Sequence, residues 1–161
     1  MPGHAGTSRV SLSTPRYRRR VPVRALRRAS ERALRATGRE AGVVEITLVD
    51  DPEIRRLNQA FRGVGRRTDV LAFPLEIAQA PAGPVGQIVV SLDTARRQSR
   101  RLGVPLDLEL ELLVTHGILH LIGYDDRDPV EARLMHLREQ EILSRSHRTL
   151  PPSLWKGLLH A

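Results

Sequence analysis

Apolar positions between Val21 and about Arg39 recur with the spacing of one helical face: Val23, Leu26, Ala29, Ala33 and Leu34 form a stripe, and arginines cover the rest. An amphipathic helix is expected there. Next, VVEITLVD at 43–50 is β-branched and partly alternating, as in a strand, and Asp51-Pro52-Glu53 opens a helix with Ile54, Leu57 and Phe61 on one side. RGVGRR reads as a turn, TDVLAFPLE at 68–76 as extended chain, and APAGPVG at 80–86 as a short loop leading into a strand, QIVVSL. A short polar helix fits Thr94 to Arg101. Gly103 and Pro105 then interrupt the chain before LDLELELLVTHGILHLIG, a helix that grows more apolar as it proceeds, so its second half is predicted to be buried. Gly123 ends that helix, Asp128-Pro129 restarts the chain, and VEARLMHLREQEIL forms a last amphipathic helix. No internal repeat is visible. Mixed strands and helices in this order predict an α+β fold, a small mixed β-sheet packed with helices around one central helix.

A chain of 161 residues, 40% hydrophobic and 27% charged, suits one domain over residues 1–161. No stretch approaches the roughly 20 uncharged apolar residues of a membrane span. The first residues, MPGHAGTSRVSLST, hold no apolar block of the export-signal kind, so a cytoplasmic protein with no membrane partner is expected. The chain has no cysteine, which excludes disulfides and thiolate ligands: any metal must be held by His, Asp or Glu.

The net charge of +8 is unevenly placed. Residues 1–40 hold 11 arginines against Glu31 and Glu40, while the remainder holds 15 basic and 16 acidic residues. The basic region, 1–42, is expected to contribute a strand or helix, and its RYRRR run, with Arg18, Arg19 and Arg20, suits a polyanion such as RNA. A solvated face in an arginine-preferring chain, whose single lysine is Lys156, is the plainer reading, and an organelle transit peptide is a third.

Residues 116–126 read HGILHLIGYDD, or H-x-x-x-H-x-x-G-x-x-D. His116 and His120 lie about one turn apart, so both project from one face of the apolar helix. Gly123 lets the chain leave the helix in a conformation other residues avoid, and Asp126 can then turn back as a third ligand. A helical histidine pair alone is more often packing or surface; the glycine stop and the carboxylate favour a metal. Zinc peptidases share the spacing but place a glutamate base directly after the first histidine, where this chain has Gly117. A peptidase therefore lacks its proton acceptor.

HGILHLIGYDD closely resembles the HGxLHLxGYDH signature of the bacterial YbeY family of metal-dependent endoribonucleases. Three further pieces match in order: LNQAFR (57–62) is similar to LNxxYR, RTDVLAFP (67–74) to TDVLSFP, and GQIVVS (86–91) to GDIxIS. The resemblance covers about residues 45–145. It implies a single-strand-directed endoribonuclease that matures ribosomal RNA, notably at the 3′ end of the small-subunit RNA, and acts in ribosome quality control. It also implies one Zn(2+) per chain, and RNA, the small ribosomal subunit and its assembly factors as partners. His116 and His120 match two zinc histidines, and Arg62 matches the arginine assigned to catalysis; without the resemblance, Arg62 would read as a surface cation ending a helix. Tyr124 and Asp125 in the exit turn are expected to shape it or to orient a histidine.

Two positions depart from the signature: the third zinc histidine is Asp126 here, and the aspartate of the GDI piece is Gln87. An aspartate is an acceptable zinc ligand, but its charge makes bound water less acidic and tilts the preference towards harder ions. Gln87 raises the question of whether that position supports a ligand. A non-catalytic ribosome-assembly factor with a structural zinc is the alternative; the open fourth position argues against it. His136 is expected to be a satisfied helix residue, and His4, His147 and His160 show no partner pattern.

Overall fold

Strand β2 (Val43–Val49) lies inside a four-stranded sheet because it is apolar on both faces towards its end: Val44, Ile46 and Leu48 are buried on one side and Val49 on the other. The computed structural model describes residues 8–12, 22–39, 42–61, 70–74 and 84–156. The sheet order is β1 (Ser8–Leu12), β2, β4 (Pro84–Ser91), β3 (Val70–Pro74). The pairs β1/β2 and β2/β4 are parallel and β3/β4 is antiparallel, so the sheet is mixed.

Helix α1 (Val23–Ala36) buries Leu26, Ala29, Ala33 and Leu34, the stripe its periodicity predicts. Helix α2 (Asp51–Ala60) is capped by Asp50, whose carboxylate accepts from the Glu53 N–H, one residue before the expected start. Helix α3 (Leu92–Leu102) is longer than predicted at both ends because Ser91 caps it and Gly103 closes it in the left-handed conformation. Helix α4 (Leu106–Leu121) is buried continuously from Leu108 to Leu119, and it packs on α1, α3, α5 (Pro129–Ser144), β3 and β4. It is the central helix. The main core joins α1 and α4 to one face of the sheet, while Ile54 of α2 packs with Val49, Leu71 and Val89 on the other.

Several elements differ from the sequence expectations. The strand β1 lies within region 1–42, where a strand or helix is expected, but its exact place has no clear apolar pattern to mark it, because parallel backbone pairing to β2 is supplied from outside the segment. The stretch 80–86, expected to be a loop, already contains the start of β4. Gly86 is required inside that strand, since a Cβ there would lie 2.6 Å from Leu121 Cδ2 and 2.7 Å from the Phe73 carbonyl oxygen. Phe61, expected on the packed side of α2, is half-exposed at the helix end and meets Phe73 edge to face, with ring centroids 5.2 Å apart. A short 3-10 helix, Pro152–Trp155, extends the core at the far end of α4, where Trp155 and Leu154 pack with Leu108 and Leu112. Among the described residues no helix is long and apolar enough to cross a membrane.

Candidate metal centre

The C-terminal turn of α4 brings the expected residues together. Gly123, at φ 109°, follows the cap residue Ile122; its N–H donates to the His120 carbonyl at 3.1 Å, and the Tyr124 N–H donates to the Leu119 carbonyl at 3.0 Å. This bond pair is a Schellman closure, which turns the chain back across the helix end. The Tyr124 carbonyl thereby reaches His120 Nδ1 at 3.0 Å, and the Asp125 carboxylate accepts from the Arg127 N–H at 3.0 Å. Asp126 then points at the helix, with Oδ2 3.6 Å from Nε2 of both His116 and His120.

Hydrogen bonding decides which ring nitrogens face inward. His116 Nδ1 lies 2.8 Å from Glu139 Oε2 and His120 Nδ1 faces a carbonyl oxygen, so both Nδ1 atoms carry the proton and donate. Nε2 is then the ring atom each histidine has left for a ligand, and these two atoms are 3.0 Å apart. With the Asp126 oxygen, three acceptors converge where only a proton or a metal cation is welcome. A triangle with sides of 3.0, 3.6 and 3.6 Å has its centre about 2.0 Å from each corner, the length of a zinc–nitrogen or zinc–oxygen bond. His116, His120 and Asp126 can therefore hold a metal ion.

The electrostatics agree. Burial opposes a charge on His120, but the neighbouring Asp126 carboxylate, the Tyr124 carbonyl and Glu139 outweigh it and raise its pKa. His120 in turn holds Asp126 down to about 2, against the burial that would raise it. His116 is buried, whereas His120 and Asp126 are 28% and 34% exposed, so the centre opens to solvent on one side.

Gly117, where a peptidase would have its base, faces the sheet: a Cβ there would lie 3.1 Å from the Ile88 side chain. A glutamate at this position would enter the core, away from the centre. Gln87 is likewise remote. Gly86 and Ile88 face α4, so Gln87 projects from the opposite side of the sheet, where its amide lies 3.4 Å from Thr47 Oγ1. Among the described residues it hydrogen-bonds none of the three that could hold a metal.

Glu139 was not among the expected residues. Its signal lay in the stripe Met135, Glu139, Ile142, where a carboxylate takes a buried position between apolar neighbours at helical spacing. His147, expected without a partner, has Nε2 2.6 Å from Glu111 Oε2. His136, expected to be satisfied, stacks edge-on against Trp155 with its Nδ1 buried and without a hydrogen-bond partner among the described residues. Arg62, Arg18, Arg19 and Arg20 lie outside the described residues.

The family model described as Endoribonuclease YbeY matches residues 13–147, further towards the N-terminus than the motifs alone. An Endoribonuclease YbeY of Anaeromyxobacter sp. (strain Fw109-5) is 39% identical over 92% of this chain and 77% of its own length. The Endoribonuclease YbeY of Nautilia profundicola is 45% identical over 69% of this chain and 76% of its own. A Thermotoga maritima protein with a known solution structure aligns over 96% of this chain and 93% of its own, at 25% identity and a TM-score of 0.58. On the extent of these matches, the chain belongs to the endoribonuclease YbeY family.

Proposed function

We propose that this protein is a zinc-dependent endoribonuclease that cleaves single-stranded RNA during ribosomal RNA maturation, with the small ribosomal subunit and its assembly factors as partners in the cytoplasm. The observation that carries the reading is the convergence of three acceptors on one point, open to solvent, in a chain of this family. His116, His120 and Asp126 are the ligands, one ion per chain, and three protein ligands leave a place for water or substrate. An ion there supplies Lewis-acid polarisation of a phosphodiester and a more acidic water.

The protein's own residues do the rest. The Tyr124 carbonyl fixes the His120 ring, so its Nε2 needs no reorganisation to bind. Asp126 sets the local charge: an anion in place of a neutral imidazole leaves less positive charge for water or phosphate to feel. Arg62, a fork-shaped cation following α2, is assigned to the charge that develops on the scissile phosphate. Arg18, Arg19 and Arg20 are assigned to sequence-independent attraction of the RNA backbone. Metal analysis of the purified protein, beside cleavage of unstructured and structured RNA with and without added zinc, tests the whole reading. Stoichiometric zinc and preferential cleavage of the unstructured strand are expected. Zinc uptake without cleavage would instead favour a structural metal in an assembly factor.

A further inference from the structure

Glu139 sits mid-way along α5, is 3% exposed, and has His116 as its ion-pair partner among the described residues. The contact crosses from α5 to α4, with Oε2 2.8 Å from Nδ1. A carboxylate this deeply buried is costly unless a positive charge lies close by. On the far side of the same ring, Nε2 faces the convergence point shared with His120 and Asp126.

We propose that Glu139 is a positioning residue for the metal: it accepts the Nδ1 proton of His116 and so presents Nε2 to the convergence point, and its negative charge adds to that of Asp126 in favouring a divalent cation there. The inference rests on the metal reading above. Two carboxylates, Asp126 beside the ion and Glu139 behind its ligand, together match the two charges of such a cation. The competing role is a structural tie between α4 and α5. The two roles differ in where a loss falls: a tie between the helices lowers the stability of the metal-free and zinc-loaded protein alike when it is lost, whereas a positioning residue acts on zinc affinity.

Glu139→Gln keeps the shape and leaves an acceptor for the Nδ1 proton, but removes the charge. Zinc affinity, measured by competition with a chromogenic chelator, is expected to fall by about 10- to 100-fold, while the thermal midpoint of the metal-free protein stays the same or rises. Glu139→Asp keeps the charge on a shorter stem and should lose affinity through geometry. If Glu139→Gln binds zinc within about threefold of the parent, the positioning role is wrong, since disrupting such partners ordinarily costs at least tenfold. A metal-free midpoint that drops as far as the zinc-loaded one makes Glu139 a structural tie. A parent that takes up no zinc overturns the metal reading and this inference with it, whereas a failure confined to the variants leaves the metal reading standing.

Discussion

Nε2 of His116 and Nε2 of His120 face each other at 3.0 Å, although both rings have their Nδ1 protons committed elsewhere. Two lone pairs at that distance repel unless a cation lies between them. His120→Ala leaves one imidazole and one carboxylate, too few for a stable site, and should abolish stoichiometric zinc. Retention of one zinc per chain after dialysis against a weak chelator would falsify the ligand assignment.

The raised pKa of His120 sets the sign of the pH dependence of metal binding. The neighbouring carboxylate favours the proton in the metal-free protein, and zinc must displace that proton. Affinity should therefore weaken as pH falls, beginning above the ordinary imidazole value of 6.5. Below the midpoint the loss is about tenfold per pH unit for one displaced proton. An affinity that stays flat between about pH 6 and 7.5 contradicts the prediction, because that is where an unshifted or raised histidine takes up its proton.

Asp51 clamps the starts of α2 and α3 together. Its carboxylate accepts from Ser91 Oγ, Thr94 Oγ1 and Arg97 Nη1 at 2.6, 2.7 and 2.6 Å, while its own N–H donates to Asp93 at 3.1 Å. Burial alone would raise its pKa, but Arg97 and the two hydroxyls bring it from 3.8 to about 2. A depressed carboxylate stabilises the fold above its unfolded pKa, and that contribution is lost as pH falls from about 4 through 2. The shift corresponds to on the order of 2 kcal/mol, reduced because water screens the exposed Arg97. Asp51→Asn should lower the urea midpoint at pH 7, with the gap to the parent narrowing towards pH 3. A constant gap across that range would show that the charge contributes nothing.

Changing Arg62 to alanine is predicted to slow RNA cleavage by on the order of 100-fold or more. Zinc content should be unchanged, and stability should stay within roughly 0.5 kcal/mol of the parent. Lysine at this position keeps the charge without the two-pronged fork, so Arg62→Lys should recover only part of the rate. A metal-replete, normally melting Arg62→Ala that cleaves within a few-fold of the parent removes the assigned role.

Neutralising Arg18, Arg19 and Arg20 should flatten the plot of log K against log salt for single-stranded RNA, by up to about 0.7 for each phosphate that is no longer neutralised. An unchanged slope in a binding titration from low to physiological salt means that these side chains never meet the backbone.

The sequence by itself determined the local parts of this protein. Helix α1 was legible because Leu26, Ala29, Ala33 and Leu34 recur with the helical period, and the buried α4 because it is apolar nearly all round. The cluster that could hold a metal was legible for a local reason too: His116, His120, Gly123 and Asp126 fall within 11 residues, so helix geometry and one glycine turn suffice to bring them together. Tertiary structure alone decided the rest, because the partners lie far apart in the chain. Glu139 reaches His116 across 23 residues and Glu111 reaches His147 across 36, distances at which no local period reports a contact. Asp51 finds Ser91 and Arg97 only because β2 and β4 run parallel and deliver two helix starts side by side. Phe61 follows the period of α2 yet stays half-exposed, since the helix ends at Ala60 and Phe61 is its cap residue. The strand β1 has too weak a pattern of its own, and it exists because β2 presents an edge with unpaired backbone groups to it.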